Sequence, residues 1–407
     1  MAKNIGLLHF AYPPAIGGVE ILLREHAHIL TELGNKVKII TGSGKETNPH
    51  IELVEIPEMQ SLNTWNPDLQ ENIFSGIINR DFYVLSRKLH QLIQKNTQSL
   101  DTIIVHNMLT VSRNLPFIHA FHEFAKNTDK HIVVYTHDHM YIGNGQIKNI
   151  HETATSTLEK KLLTTPIEKA VYIAISNTFC RRLVKVLPVK NGHLHIIQNG
   201  INIRNYLEMD PIIWHVVEQK NILSSFPIIL SPSNILERKN LLYTIDVVAE
   251  LKKKYPSLLY IISGKPSKYR STIEYHNQIQ ERIQELGLDE NFLMLSEYIN
   301  KSLRNSEIHD LYSLADVVLY FSKSENFGLP ILEASLAKTP IFVSDLKVFH
   351  EVGGDLLTYI DYRTVEPKKA AEIIAETLSS TRLQINYKVR TDYNLKNILS
   401  TLLVPLL

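Results

Sequence analysis

The segment DVVLYFSKSENFGLPILEAS, from Asp316 to Ser335, decides the fold. Val317 to Phe321 is a short, unbroken apolar run, the pattern of a strand covered on both faces. A polar loop follows, then Gly328 and Pro330. Proline suits a first helical turn, so a helix is predicted over residues 330–338. Such a helix leaves the backbone N–H groups of Phe327, Gly328 and Leu329 at the strand tip, where they favour an anion such as phosphate. Gly328 permits close approach of the backbone. Glu325, before the turn, suits a neutral polyhydroxyl group, and Glu333, one turn into the helix, suits a second polyol such as a ribose. The plainer alternative has Glu333 complementing the helix dipole and Glu325 solvated.

The same unit recurs along the chain. Strand candidates are 5–10, 36–42, 102–107, 132–138 and 171–176, then 227–233, 258–264, 291–296, 316–322 and 340–345. Helical patterns over 18–33, 80–95, 241–254, 272–286 and 330–338 lie between them. Apolar strands alternating with helices mean parallel sheets covered on both faces. The order strand, loop, helix opens each half, in IGLLHFAYPPAIGGVEILLREHAHIL and again in FPIILSPSNILERKNLLYTIDVVAEL. Two doubly wound α/β domains in tandem are expected, joined near 200–226. Ligands of such sheets sit at the carboxyl ends of the strands, and a cleft between the domains is the expected place.

Composition narrows the class. The 407 residues suit two domains. The 43 Lys+Arg and 42 Asp+Glu nearly cancel, unlike the basic excess of a nucleic-acid binder. The single cysteine, Cys180, excludes an intrachain disulfide and suits a reducing compartment. The N-terminus reads as a strand rather than a leader, and no apolar run is long enough to span a membrane. A cytoplasmic protein is expected, with contact at the inner membrane face left open.

Other strand tips carry polar residues. YPPAIGGVE (12–20) is a Pro/Gly loop before a helix starting near Val19; it is neither a Walker loop nor GxGxxG. SNILERKNL (233–241) sets Arg238 and Lys239 before a helix, suited to a diphosphate or to a solvated basic turn. YTHDHMY (135–141) ends a strand with His137, Asp138 and His139, suited to substrate contact or acid–base work, or to a surface loop. Ser176 is the expected cap of a helix carrying Arg181 and Arg182. Asn199-Gly200 reads as a turn between domains. Residues 43–80 read as a variable region over the cleft. Basic stretches at 80–95 and 181–190 suit solvated helix faces or an anionic acceptor or lipid.

Together these segments resemble the family-4 retaining glycosyltransferases of the GT-B fold, from the glycine loop near residue 17 to about residue 345. Glu325-x7-Glu333 in ENFGLPILEA is similar to the family's E-G-F-G-L-P-x-x-E-A, and LYSLADVVLYFSKS, AISNTF, QNGI and ISGKP fall in family-like order. The resemblance implies two Rossmann-like domains facing a central cleft: 1–205 for the acceptor, 206–385 for the nucleotide sugar, and a helical segment 386–407 packing back on the first. It implies that Glu325 bonds donor-sugar hydroxyls, that Asn326 to Leu329 hold sugar and phosphate, that Glu333 binds the ribose and that Lys239 meets the diphosphate. Gly17 and Gly18 would line the cleft, Gly264 would lie near the base, and His137 would take the role of the family histidine near the reacting centre, with His139 as its competitor. Asn234 stands where the family commonly has an arginine, and Arg238 is the nearest replacement. Asn326 replaces a usual glycine.

The implied activity is metal-independent hexosyl transfer with retention. The donor is a nucleotide sugar, UDP-sugar favoured over GDP-sugar, with no further cofactor. The acceptor is a hydroxyl of a glycan, a lipid-linked glycan or a small molecule, in a setting such as bacterial cell-surface polysaccharide synthesis. Nucleic acid is not an expected partner. A GT-B phosphorylase or epimerase, and a degenerate non-catalytic subunit that binds sugar nucleotides, remain as alternatives.

Overall fold

A computed structural model describes residues 2–15, 17–143, 146–265 and 270–407. Ile16 of the first glycine loop and Pro266 of the ISGKP segment lie outside the described residues. The chain forms two compact units, residues 1–201 with 395–407, and residues 202–394.

The first unit holds a seven-stranded sheet of β1 (Asn4–His9), β2 (Lys36–Thr41), β3 (Ile51–Glu55), β4 (Thr102–His106), β5 (His131–Thr136), β6 (Val171–Ala174) and β7 (Leu194–Ile196). Its order is β3-β2-β1-β4-β5-β6-β7 and every pairing is parallel. The order reverses between β1 and β4, so their carboxyl ends flank the crevice typical of such sheets. Helices cover both faces. The helix Gly18–Glu32 packs Leu23, Ala27 and Leu30 on one side, while Arg80–Asn96 and Leu115–Lys126 bury Phe82, Leu89, Phe117 and Phe121 on the other.

The second unit holds β8 (Ile228–Ser231), β9 (Leu259–Ile262), β10 (Phe292–Met294), β11 (Val317–Tyr320), β12 (Ile341–Ser344) and β13 (Thr358–Ile360). Their order is β10-β9-β8-β11-β12-β13, again parallel throughout. This is the classic Rossmann order, with its switch point between β8 and β11. The two-Rossmann α/β architecture expected of the GT-B class is therefore present.

The domain limits differ from those expected. Residues 386–394 stay with the second unit, where the helix Thr381–Asp392 is pinned by Arg390, whose Nη2 lies 2.9 Å from Asp316 Oδ2. Residues 395–407 return to the first unit. Leu395, Ile398, Leu399 and Leu403 enter its core. The Leu407 carbonyl accepts from Thr102 Oγ1 at 3.1 Å and the Leu406 carbonyl lies 2.7 Å from His131 Nε2.

The region 43–80 carries regular elements of its own. It contains the edge strand β3 and the short helices Leu62–Trp65 and Pro67–Phe74, capped at Asn66. In IELVE two glutamates interrupt a short apolar run and only Ile51 is buried, as suits an edge strand.

Candidate functional site

In the second unit the chemistry gathers at the switch point. The loop after β8 carries Asn234, Arg238 and Lys239; the loop after β11 carries Glu325 to Leu329. Lys239 ends a short helical turn, Glu237–Lys239, and Asn240 follows in the left-handed region at φ 53°. That turn aims the Lys239 ammonium across to the neighbouring strand. Its Nζ lies 2.5 Å from Glu325 Oε1 and 3.2 Å from the Tyr320 hydroxyl, with the Tyr320 ring centroid at 4.9 Å. Arg238 Nη1 reaches the same Glu325 oxygen at 2.9 Å and the Ser324 carbonyl at 3.3 Å. Ser322 Oγ donates to it at 2.9 Å.

Glu325 is thus one carboxylate held by two cations. Burial pushes its carboxyl upward, but the hydrogen bond and charge of Lys239 and the hydroxyls of Tyr320 and Ser322 outweigh this, and the group lies below its ordinary value. Burial lowers the Lys239 ammonium from its ordinary value, the carboxylate opposing. Arg238, adjacent to Lys239 in sequence, converges on the same group rather than pointing away from it.

Downstream, Gly328 has φ 112°, which disfavours other residues, and a Cβ there would meet Phe349 Cε1 at 2.9 Å. It is the N-cap of the helix Leu329–Leu336, with Pro330 in the first turn. Among the described residues no protein acceptor takes the N–H groups of Phe327, Gly328 or Leu329. The side chains of Phe327 and Leu329 are about half exposed, and Asn326 is exposed. Glu333 accepts from the Tyr312 hydroxyl at 2.7 Å. Tyr312 is itself buried, and burial followed by that carboxylate raises its phenol far above the usual value.

Beside these groups an open pocket of about 330 Å³ is lined by Asn234, Gly264, Lys265, Lys301 and Leu303. Gly264 is needed for the shape of this pocket. A Cβ on it would lie 2.3 Å from the Ser233 carbonyl and 2.4 Å from Asn234 Cα, both unyielding backbone atoms. Asn234 is exposed and its Oδ1 accepts from the Lys265 N–H at 3.4 Å.

In the first unit the glycine loop and histidines gather at the tips of β1, β4 and β5. Gly17 caps the helix Gly18–Glu32. A Cβ on Gly17 would fall 2.0 Å from Glu20 Oε2 and displace a carboxylate that lies 3.5 Å from His9 Nε2. A Cβ on Gly18 would meet nothing within 4 Å. His137 follows β5, its backbone N–H and that of Asp138 both donating to Asn107 Oδ1 at 3.1 and 2.7 Å. Burial, with the charge of His9, lowers the His137 imidazole to about 4.

His139 is engaged elsewhere. Its Nε2 pairs with the Leu163 carbonyl at 2.9 Å and its Nδ1 with the Tyr141 N–H at 3.2 Å. Both ring nitrogens of His139 therefore serve the fold. Ser176 caps the helix Asn177–Val186 as expected, accepting from the Phe179 N–H at 3.1 Å.

Sequence reasoning missed Tyr320, Tyr312, Ser322, Glu20, His9 and His106. The two tyrosines sit in runs that read as apolar packing. Their signal is position: Tyr320 is the last residue of β11, and Tyr312 lies 21 residues before Glu333 on the preceding helix, Asn305–Leu314. Among the described residues no group of three or more His, Cys, Asp or Glu is arranged to hold a metal ion, and no helix is long and apolar enough to cross a membrane.

Known proteins match both units. Residues 16–205 match the model of Glycosyltransferase Family 4, and residues 214–394 that of Glycosyl transferases group 1. A mannosylglucosylglycerate synthase of Thermotoga maritima is 24% identical over 372 residues, covering 85% of this chain and 81% of that protein. The protein of the same name from Petrotoga mobilis is 22% identical over 340 residues, covering 78% and 74%. A solved glycosyltransferase structure from Rickettsia africae aligns over 100% of this chain and 98% of that one, at 18% identity and a TM-score of 0.40. With one family model on each of its two units, the chain belongs to the group 1, family-4 glycosyltransferases.

Proposed function

We propose that this glycosyltransferase is a retaining, metal-independent hexosyltransferase that uses a nucleoside-diphosphate sugar and a hydroxyl acceptor. The observation that carries the reading is the convergence of Lys239 and Arg238 on Glu325, beside the N–H groups of residues 327–329, which have no protein acceptor among the described residues. Two cations and a row of amide donors suit a diphosphate, whose developing negative charge they would stabilise as it leaves. The Glu325 carboxylate suits sugar hydroxyls, which it can accept once the donor's phosphates draw Lys239 and Arg238 away. Glu333, held by Tyr312, suits the ribose. The pocket beside Asn234 and Gly264 suits the base, with uracil expected before guanine.

The chemistry needs one bond broken and one formed. The anomeric C–O bond to the diphosphate breaks with its electron pair going to the phosphate oxygen. The acceptor hydroxyl oxygen attacks from the same face through an oxocarbenium-like state, and its proton passes to the departing diphosphate. Retention follows, and no enzyme carboxylate need become covalently bound. The first unit is assigned the acceptor and His137. The relatives named as mannosylglucosylglycerate synthases support a hexosyl donor and a small glycoside as the first acceptors to try, before glycans and lipid-linked glycans.

The test is turnover. The protein is incubated with UDP-, GDP- and ADP-hexoses and a set of hydroxyl acceptors in the presence of EDTA. Nucleoside diphosphate release and the anomeric configuration of the product are followed by NMR. Acceptor-dependent release with an anomer matching the donor supports the reading. Phosphate-dependent sugar release, inversion at C2 of the donor, or binding without turnover would each replace it.

A further inference from the structure

Three adjacent strands of the first sheet end in histidine. His9 closes β1, His106 closes β4, and His137 follows β5. His9 Nδ1 lies 2.7 Å from the His106 carbonyl, so it is the donor there. His106 Nδ1 lies 3.4 Å from His137 Nε2. The two ring planes differ by only 22° with centroids 5.7 Å apart, an offset that lets one ring N–H point at the other ring's nitrogen. The Tyr135 ring lies 5.0 Å and 15° from both imidazoles and holds them from one side. The His137 backbone is clamped by Asn107 Oδ1.

A proton must sit on one of the two facing nitrogens for this bond to exist, and hydrogen-bond accounting decides which. His106 is wholly buried, and its Nε2 has no partner among the described residues. If His137 Nε2 were the donor, neutral His106 would carry its proton on Nε2, leaving a buried N–H with nothing to bond. Orphaned buried donors are rarer than orphaned acceptors. If His106 Nδ1 is the donor, its Nε2 is only a bare lone pair, and His137 carries its proton on Nδ1. Burial first, then the neighbouring histidines, lower the His106 imidazole well below its ordinary value, so both rings are neutral near pH 7.

We propose that His106 is a positioning residue that fixes His137 as the Nδ1–H tautomer, so that His137 meets substrate as a hydrogen-bond donor with no free basic nitrogen. The inference rests on the reading of His137 as a substrate contact. It deepens that reading by removing general-base work from the histidine, since the lone pair a base would use is already occupied by His106. His137 would donate to an oxygen of the substrate.

The tautomer is measured in the intact, ligand-free protein by long-range proton–nitrogen NMR with nitrogen-labelled histidine, the His137 signals being assigned by their loss in His137→Gln. The expected spectrum has a protonated Nδ1 and an unprotonated Nε2. His106→Phe, which cannot donate, should shift His137 towards mixed tautomers and lower kcat/KM about tenfold, with the donor Kd unchanged within twofold. His106→Asn, which keeps an N–H donor, should recover part of the loss. A protonated Nε2 on His137 in the wild-type protein overturns the proposal whether or not either variant folds. So does an unchanged His137 spectrum in His106→Phe. Failure of every nucleotide sugar to bind would instead strike the functional reading and leave the tautomer result standing.

Discussion

Lys239 Nζ and Glu325 Oε1 lie 2.5 Å apart, on loops 86 residues distant in sequence, and both side chains are 11% exposed. Each neutralises the other. Under the proposed function, a donor would exchange this internal ion pair for its own phosphates and hydroxyls. Lys239→Ala and Glu325→Ala should each lower kcat/KM at least tenfold, about 1.4 kcal/mol in the barrier. Steady-state kinetics alongside thermal unfolding separates this from misfolding. Near-wild-type rates in both variants would remove the pair from the site.

Tyr312 gives a second, quieter test. Its hydroxyl donates to Glu333 at 2.7 Å from a buried position. Tyr312→Phe removes only that donor. Nucleotide affinity should weaken by roughly 1 kcal/mol, about fivefold, the net worth of one typical hydrogen bond. Calorimetry with the nucleoside diphosphate alone reads this directly, and kcat should change less than KM.

Buried histidines predict the pH dependence of stability. Burial lowers His26 to about 3 and His122, His137 and His139 to about 4. In the unfolded chain such rings take protons near pH 6.5. The unfolded state then binds more protons than the folded one, so stability is full above about 6.5 and falls as pH drops towards 4, by up to about 2 kcal/mol per ring at pH 5. Both His26 ring nitrogens are buried without a hydrogen-bond partner among the described residues. His26→Leu should therefore cost less than about 1 kcal/mol at pH 7. It should also narrow the gap in unfolding midpoint between pH 7 and pH 5. An unchanged gap would remove His26 as a source.

Arg390 and Asp316 form a buried pair, 10% and 3% exposed, that ties the helix Thr381–Asp392 to the start of β11. Asp316 Oδ2 also accepts from the Ile228 N–H at 2.8 Å. Arg390→Met leaves that carboxylate buried and unpaired, which costs about 3 kcal/mol. Urea unfolding followed through Trp214, which is buried in the same unit, with Trp65 replaced by Phe, measures it.

The interior of the fold was legible because buried parallel strands are written as apolar runs. All ten strand candidates are strands. Within the two parallel sheets three strands escaped among the described residues, β3, β7 and β13, and each lies at a sheet edge; the short ribbon Ile142–Gly143 with Gln146–Ile147 escaped as well. IELVE and LHI mix polar residues into short runs, and TYI has only three residues, so each reads as loop. The return of the C-terminal segment to the first unit is what the family resemblance implies; the break at Asn394 was not legible, because helix Thr381–Asp392 looks like its continuation. In the candidate site, the placement of Lys239 and Glu325 on the loops after β8 and β11, and of Glu333 in the helix that follows, was legible. Tyr312, Tyr320 and His106 were not, since their polar atoms act across strands and helices that only folding brings together.

Calorimetric titration of the intact protein with UDP, GDP, ADP and their hexose conjugates tests the central claim most directly. The account predicts saturable binding of one nucleotide series, weakened at least tenfold by Glu333→Ala in a protein that unfolds at the wild-type midpoint. Absence of binding by every series, or affinity indifferent to Glu333, would contradict it.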